Sequence, residues 1–242
     1  MERTVALIDE RAPRELIRAL ELRGFVPITL SAHPALGEAV RSHTDMLVVK
    51  ENKNIISLSS YCEAAPALFD DLYTLLSRRG YSFVFLDEEV GSEYPGDAAL
   101  NVLAMGRRVF CRRASAAEGL IRRYEDSGAQ IINVKQGYPA CTVLSLGSDA
   151  AITADRGMAR ALQREGIDVT LIDEGHILLP PHKYGFIGGC AGIHDGVVYF
   201  TGRVENHPSY GKIREATERM GLCAVSLTDL PLIDLGGILF ID

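Results

Sequence analysis

The feature that most constrains the fold is a glycine that recurs at the ends of helix-like segments. It is found five times, as Gly24, Gly80, Gly128, Gly166 and Gly221, and each time a short apolar run follows at once. A glycine just past a helix end adopts the left-handed conformation that caps the last carbonyls, after which the chain can turn into a strand. The sequence therefore predicts five copies of one helix–strand unit, 38 to 56 residues apart.

Each predicted unit also carries two strand-like runs ahead of its helix. In four units these runs are joined by a short turn rich in Gly, Asn or Asp, as where 46–50 leads through Glu51-Asn52-Lys53-Asn54 into 55–59. Such turns between apolar runs are typical of β-hairpins. The helix-like segments, with apolar residues spaced three and four apart, span 14–23, 67–79, 116–126, 157–165 and 210–220. The predicted unit is thus strand–strand–helix–strand.

The two ends of the chain complete one unit between them. The first helix is preceded by a single run, 5–8, and the missing partner run stands at the other end, 236–241. Pairing these runs closes a ring and removes an exposed sheet edge. We therefore expect one α/β domain over 1–242, a fivefold pseudo-symmetric propeller. Its units would be about 1–45 plus 236–242, 46–98, 99–140, 141–184 and 185–235. The alternative is a doubly wound parallel sheet, which needs no hairpin before every helix.

Composition narrows the classes of partner. The 242 residues include 25 Lys and Arg against 32 Asp and Glu, a net charge of −7, which argues against a nucleic-acid partner. No apolar stretch approaches the ~18 to 20 residues that cross a bilayer, so no membrane partner is expected. The five cysteines are odd in number and widely spaced, a pattern that favours free thiols in a reducing compartment. We expect a cytoplasmic protein, and the sequence indicates no oligomeric state.

The fivefold strand–strand–helix–strand propeller resembles the pentein fold of guanidine-modifying enzymes. That superfamily includes arginine deiminase, dimethylargininase and the amidinotransferases, and also a non-catalytic ribosome anti-association initiation factor. The stretches Lys135-Gln136-Gly137-Tyr138, 152–155 and 184–189 resemble an uncharacterised bacterial family assigned to the superfamily. The resemblance implies a His at the first strand of the fourth unit. It also implies a Cys at the last strand of the chain, which is the first strand of the unit that the two chain ends share. There a thiolate attacks the guanidinium carbon while the His moves protons.

This chain departs from that pattern at both positions. The fourth unit begins through 136–141, which contains no His, and the last first strand begins through 234–239, which contains no Cys. Because function depends on the site and not on the fold, we do not expect the family's Cys–His chemistry to operate as it stands. Whether the chain is an enzyme is left open.

Polar residues concentrate in the connections between units, which a ring would bring together at its axis. These connections are 31–45, 87–99, 135–140, 173–184 and 228–235. Loops on a rigid scaffold commonly carry function. The ligand-binding residues that we expect are Asp97, Asn101, Lys135, Gln136, Tyr138, His182, Lys183 and Asp234. Their amine, amide and carboxylate groups suit a small polar metabolite, and no cofactor is expected.

Cys141 is the candidate nucleophile. It stands at the start of a first strand, where His182 or Lys183 from the next connection could lower the pKa of its thiol. The ordinary alternative is a small buried apolar residue, which is the usual state of a free cysteine. Cys190 has the same two interpretations.

Two other patterns predict no site. His176 and His182, with Glu174 nearby, match no familiar metal-ligand spacing, so no metal is expected. The glycine-rich run 185–192 lacks the helix N-terminus that cradling a phosphate requires. His33, His43, His194 and His207 lie in turns or connections and are predicted to be solvated.

Three functions follow as hypotheses. The first is a protein that binds a small polar metabolite at the ring axis without Cys–His catalysis. The second is a divergent guanidino or amidino hydrolase that uses Cys141. The third is a protein-interaction module like the anti-association factor, with its binding face on the outside of the ring.

Overall fold

The computed structural model describes residues 3–242, which form five three-stranded sheets. The strands are β1 (Val5–Asp9), β2 (Val26–Leu30), β3 (Val49–Glu51), β4 (Asn54–Leu58), β5 (Ser82–Leu86), β6 (Leu103–Met105), β7 (Arg108–Cys111), β8 (Gln130–Asn133), β9 (Val143–Ser145), β10 (Ala150–Thr153), β11 (Asp168–Leu171), β12 (Ala191–His194), β13 (Val197–Phe200), β14 (Cys223–Ser226) and β15 (Leu239–Ile241). The helices are α1 (Arg14–Leu22), α2 (Thr44–Leu47), α3 (Ser59–Ala64), α4 (Pro66–Leu76), α5 (Glu118–Asp126), α6 (Pro139–Thr142), α7 (Arg156–Arg164) and α8 (Tyr210–Arg219).

Every sheet has the same internal order. In four sheets the middle strand pairs antiparallel with the strand before it and parallel with the strand after it, as β4 does with β3 and β5. In the remaining sheet β15, from the other end of the chain, is the antiparallel partner of β1. A helix always connects the two parallel strands. The predicted strand–strand–helix–strand unit is therefore confirmed in all five copies.

The five glycines that defined the repeat all have positive φ values. Those values lie between 69° and 88° at Gly24, Gly80, Gly128, Gly166 and Gly221. Each glycine follows the end of a helix and precedes the third strand of its unit. The left-handed conformation is accessible to glycine at no steric cost, which explains why this residue recurs there.

The ends of the chain meet in one sheet, whose strand order is β15-β1-β2. Val5 stands opposite Ile241, and Leu7 opposite Leu239, in antiparallel pairing. Phe240 of β15 packs its ring against Phe25 and Tyr199. This pairing across the two ends confirms the pseudo-fivefold arrangement, and the alternative of a doubly wound sheet is wrong.

The helices cover the buried middle strands of the sheets. In the first unit, Leu16 and Leu20 of α1 pack with Ala6 and Ile8 of β1, all fully shielded from solvent. Burying such side chains contributes roughly 1.5–3 kcal/mol each, so the amphipathic helices fix the shape of every unit. Among residues 3–242, no helix combines the length and the apolar character needed to span a membrane.

The first strands begin later than predicted, as where β3 begins at Val49 and not at residue 46, and β15 at Leu239 and not at residue 236. In three units the residues just ahead of the strand form α2, α6 and the 3₁₀ turn Gly188–Cys190 instead. A helical turn satisfies its own backbone groups, as where the Val48 N–H donates to the Thr44 carbonyl at 2.9 Å. Pro139 also fits the first position of α6, where its missing N–H costs nothing.

Candidate functional site

One pocket receives residues from all five connections between the units. Its volume is about 650 Å³, and it is lined by residues from 37–43, from 92–97, by Tyr138 and Cys141, by residues from 179–186, and by Asp234. We call it the axial pocket. Because each connection comes from a different unit, five separate parts of the chain fix the shape of this pocket.

Three buried side chains with chemically reactive atoms meet at the base of the axial pocket. They are His43, just before α2, Cys141 of α6, and Asp234, just before β15. One ligating atom from each lies within 4.8 Å of the other two, and none of the three residues is more than 2% exposed. We call this group the His–Cys–Asp cluster. Cys141 is thus buried, as the ordinary alternative predicted, but it also lines the pocket.

The Cys141 thiol lies between a carboxylate and an amide. Its Sγ donates to Asp45 Oδ2 at 2.6 Å, and Asn101 Nδ2 donates to Sγ at 3.4 Å. Asn101 is itself held in place, because its Oδ1 accepts the Ala140 N–H at 2.9 Å. The predicted residue Asn101 therefore contributes to the site from behind the thiol, without lining the pocket.

Burial and like charge keep this part of the site protonated. Burial raises the pKa of the Cys141 thiol well above its ordinary value, and the charges of Asp45 and Asp234 raise it further. Burial also raises the pKa of Asp45 to about 8. Although part of the Asp45 residue is accessible, its carboxyl Oδ1 is fully shielded and has no hydrogen-bond partner. In the free pocket the Cys141 thiol and the Asp45 carboxyl are therefore mainly protonated at neutral pH.

His43 lies between two carboxylates. Its Nδ1 is 3.9 Å from Asp234 Oδ1, and its Nε2 is 4.0 Å from Asp9 Oδ2. Neither ring nitrogen makes a hydrogen bond, although the side chain is completely buried. Burial lowers the pKa of His43, with the two carboxylates acting in the opposite direction, so the ring is neutral at physiological pH.

Asp9 and Asp234 are held by bonds of their own. Asp9 pairs with Arg11 at 2.5 Å and accepts the Ser42 hydroxyl at 2.8 Å. Asp234 accepts the backbone N–H of Phe186 at 2.8 Å, and burial raises its pKa. Both carboxylates are thereby fixed on either side of the His43 ring.

The wall of the pocket carries a second acidic group. The Tyr138 hydroxyl donates to Asp97 Oδ2 at 2.5 Å, while Asp97 Oδ1 is buried without a partner. Burial raises the pKa of Asp97 and, together with the Asp97 carboxylate, that of the Tyr138 hydroxyl. Tyr94 packs edge-on against Tyr138 at the same wall.

The other predicted residues are divided between the mouth of the axial pocket and a neighbouring groove. His182 and Lys183 line the pocket and are exposed to solvent. Lys135 and Gln136 instead line a groove of about 610 Å³ against α7. Gln136 donates to Asp155 Oδ2 at 3.0 Å and accepts the Tyr138 N–H, which are contacts that organise the loop. The structure thus brings together six of the eight residues expected to bind ligand.

The histidines were predicted least well. His33, His43 and His207 are at most 3% exposed, so the prediction that they are solvated is wrong; His194 is partly buried. Sequence analysis also missed Asp9, Arg11 and Asp45. One signal could have found Asp45 and the buried His43 together: Ser42-His43-Thr44-Asp45 is a polar run directly ahead of an apolar run. The glycine-rich run leads through a 3₁₀ turn into β12 and not into a helix, as predicted.

Several solved structures align with most of this chain. SxtG, an amidinotransferase from Microseira wollei, aligns with a TM-score of 0.56 and 13% identity over 89% of this chain and 74% of its own. A DDAH from Pseudomonas aeruginosa complexed with citrulline aligns with a TM-score of 0.55 and 12% identity over 95% and 93%. Agmatine deiminase from C. jejuni aligns with a TM-score of 0.56 and 7% identity over 94% and 88%.

These likenesses establish the fold. The neighbours are members of the pentein superfamily, so this chain has the pentein fold that the sequence resemblance implied. No curated protein sequence matches the chain. Residues 7–239 match the model of a family described as "Family of unknown function (DUF6873)". The chain therefore belongs to that family, which has the pentein fold.

Proposed function

We propose that the axial pocket binds a small molecule with a guanidinium or amidinium head. The observation that carries this proposal is the group of acidic side chains at its base and wall: Asp97 and Asp234 line the pocket, and Asp45 lies behind Cys141. Among residues 3–242, no Lys or Arg forms an ion pair with any of the three. Burial raises the pKa of all three carboxyls because it disfavours their charged forms, so a cationic head would stabilise the ionised carboxylates by pairing with them.

The size of the pocket and its likeness to known structures support the same class of ligand. A volume of about 650 Å³ falls within the usual range for small-molecule sites. The names of the structural neighbours describe amidinotransferases, deiminases and a DDAH, proteins that act on guanidino compounds. The five free cysteines favour a reducing compartment, so we place this function in the cytoplasm.

A thermal-shift panel with a chelator present tests the proposal. Guanidino and amidino compounds are compared with urea analogues of the same shape, which lack the charge. A ligand at about 100 times its Kd stabilises the folded state by about 2.7 kcal/mol, a readily visible shift. Asp97→Asn should weaken binding of the cationic compounds, whereas Asp126→Asn, on the exposed end of α5, should not. Equal responses to charged and neutral compounds, or none to either, would contradict the proposal.

The His–Cys–Asp cluster favours a second candidate, hydrolysis at Cys141. A bound cation would favour the ionised form of Asp45, whose proton leaves to solvent. Asp45 would then accept the thiol proton, and the thiolate would attack the central carbon, forming a C–S bond as the C=N pair moves to nitrogen. The amine would leave with the C–N pair and take its proton from Asp45. Water would then attack, His43 would accept one of its protons, and the C–S bond would break. The thiolate would recover the second proton, leaving a urea-type product, and His43 would release its proton to solvent.

Release of an amine or ammonia from each compound that binds tests this second candidate. Cys141→Ser should abolish release while thermal shifts persist, because the thiol is the nucleophile and not the main source of binding. The matched control is Cys111→Ser, a buried cysteine of β7 outside the pocket, which should leave turnover unchanged. Turnover that survives in Cys141→Ser would eliminate Cys141 as the nucleophile and leave the binding proposal intact.

A further inference from the structure

We propose that His43, Cys141 and Asp234 form a binding site for a divalent transition-metal ion, with zinc as the best match. The three ligating atoms lie within 4.8 Å of one another and come from three different units of the ring. Ligands around tetrahedral zinc stand roughly 3.3–3.6 Å apart, as the usual bond lengths require. His43 Nδ1 and Asp234 Oδ1 are already 3.9 Å apart, so small side-chain rotations complete the arrangement.

The donor atoms match zinc in type and in charge. A thiolate sulfur, an imidazole nitrogen and a carboxylate oxygen are the three kinds of donor that zinc sites use. Once the thiol has lost its proton, Cys141 and Asp234 together supply two negative charges against the two positive charges of the ion. Metal binding displaces the thiol proton, which leaves to solvent.

His43 provides the independent observation that points to a ligand. It is completely buried, yet neither of its ring nitrogens has a hydrogen-bond partner. Buried polar atoms are nearly always paired, because leaving one unpaired costs about 1–3 kcal/mol. A metal ion bound between His43, Cys141 and Asp234 would give His43 Nδ1, the nitrogen that faces Asp234, a partner.

The surroundings of His43 determine which nitrogen binds. Nε2 faces Asp9, which Arg11 and Ser42 hold in place, whereas Nδ1 faces Asp234. A metal-bound histidine characteristically donates its other N–H to a carboxylate, which fixes the tautomer and the orientation of the ring. The Nε2–H group therefore donates to Asp9 when metal is bound, and Nδ1 is the metal ligand.

The fourth coordination position opens into the axial pocket, since all three ligands line it. A metal site with three protein ligands and one open position is the form that binds water or a small molecule. The sequence predicted no metal, because spacing was judged within the single segment 174–182. The ligands that the fold brings together lie at 43, 141 and 234, too far apart for any motif of local spacing.

Equilibrium dialysis against zinc alone, with no organic compound present, tests the inference. We expect the wild-type protein to take up one equivalent of zinc. Cys141→Ser and His43→Gln each remove a ligand and should bind zinc at least ~10-fold more weakly, because removing only a hydrogen-bond partner of a ligand already costs that much. Cys111→Ser and His207→Gln change a buried cysteine and a buried histidine outside the cluster and should bind as wild type does. Asp9→Asn should weaken binding by ~10- to 100-fold.

Cobalt provides a measurement that needs no variant to fold. Cobalt bound to the wild-type protein should give a thiolate-to-metal charge-transfer band in the near ultraviolet, and zinc should remove the band. Failure of the wild-type protein to bind zinc stoichiometrically, or a cobalt complex without the thiolate band, would overturn the inference. The guanidino panel is run in chelator and the metal experiment without ligand, so either proposal can fail while the other stands.

Discussion

Asp45 contributes to the pH dependence of the stability of the metal-free protein. Its pKa is about 8 when folded, against about 3.9 for an unperturbed Asp, so the folded state holds one more proton across that interval. The free energy of unfolding therefore falls as pH rises from about 4 to about 8, and the contribution of Asp45 is fully present only below the unfolded pKa. Asp45→Asn should remove this loss, a relative gain of up to about 1.4 kcal/mol per pH unit.

Denaturant unfolding at several pH values, with chelator present, measures this effect. The difference between Asp45→Asn and wild type should grow in favour of the variant as pH rises through the interval. Asp71→Asn, an exposed residue of α4, provides the control and should run parallel to wild type. A constant difference between Asp45→Asn and wild type would mean that Asp45 titrates normally.

Gly189 leaves the space in which the Asp234 carboxylate lies. A Cβ built at Gly189 overlaps Asp234 Oδ1, and Asp234 cannot move aside because the Phe186 and Gly236 N–H groups hold it. Gly189→Ala should cost about 1–3 kcal/mol in the free energy of unfolding and should also weaken binding in the axial pocket.

The control is Gly211→Ala in α8, where a Cβ meets nothing within 4 Å. This substitution should stabilise the helix by about 0.5–1 kcal/mol. Chemical denaturation measures the free energy of unfolding of both variants. If Gly189→Ala stabilised the protein as Gly211→Ala is expected to do, close contact with Asp234 would not be what requires glycine at position 189.

Residue types in the connections predicted part of the site, and burial decided the rest. Asp97, Tyr138 and Asp234 were expected because a strand pattern does not call for polar residues at those positions. His43 was misjudged because a histidine in a connection is usually solvated, and only the three-dimensional path of 31–45 brings it beneath the pocket. The charge environment of Cys141 was misjudged as well: the residues beside the thiol are Asp45 and Asn101, and not a cation.

At the scale of single elements, the residue that caps helix α7 also binds the loop that carries Gln136. Asp155 Oδ1 accepts the Met158 N–H at 2.7 Å, and Asp155 Oδ2 accepts from the Gln136 amide at 3.0 Å. Asp155→Ala should therefore cost about 0.5–2 kcal/mol, whereas Asp155→Asn keeps an acceptor and should cost only a few tenths. Hydrogen exchange at the Met158 amide should accelerate in the first variant alone. Unchanged exchange there would mean that the cap does not hold the helix.

The elements were predictable where periodicity is strong and the end signal is clear. The predicted helix 14–23 is observed as α1, Arg14–Leu22, because its apolar stripe and Gly24 define both its buried face and its end. The side chain of Asp155 caps α7, whereas α5, which begins at Glu118, has no side-chain cap. The short helical turns α2 and α6 were missed, since four residues are too few to show a period of 3.6.

At the scale of the whole molecule, the ring relates this cluster to the pattern that the superfamily implies. In that pattern the His belongs to the start of the fourth unit and the Cys to the last first strand, which completes the first unit. Here His43 stands in the connection that leads into the second unit, and Cys141 stands at the start of the fourth. Both pairs are two units apart around the ring. A search at the superfamily's two positions therefore finds neither a His nor a Cys in this chain. Because the five units are similar, a His and a Cys from two other units can still meet at the axis.

The ring also makes the position of the chain ends unimportant for the site. Thr4 Oγ1 donates to Asp242 Oδ1 at 2.8 Å, so a short Gly/Ser linker can join residues 242 and 3. New ends can be opened at the exposed Asp195-Gly196 turn between β12 and β13, where no pocket residue lies. The His–Cys–Asp cluster draws on the starts of three units, and permutation leaves all three starts continuous.

We therefore expect the permuted chain to unfold cooperatively within about 2 kcal/mol of wild type, since closure entropy varies slowly with loop length. It should also keep zinc binding and any thermal shift with guanidino compounds. A matched chain that has the same new ends but lacks the linker between 242 and 3 should be less stable, because the pairing of β15 with β1 then joins two separate ends. Loss of both binding responses in a permuted protein that remains folded would mean that the order of the units along the chain, and not only their closure into a ring, shapes the axial pocket.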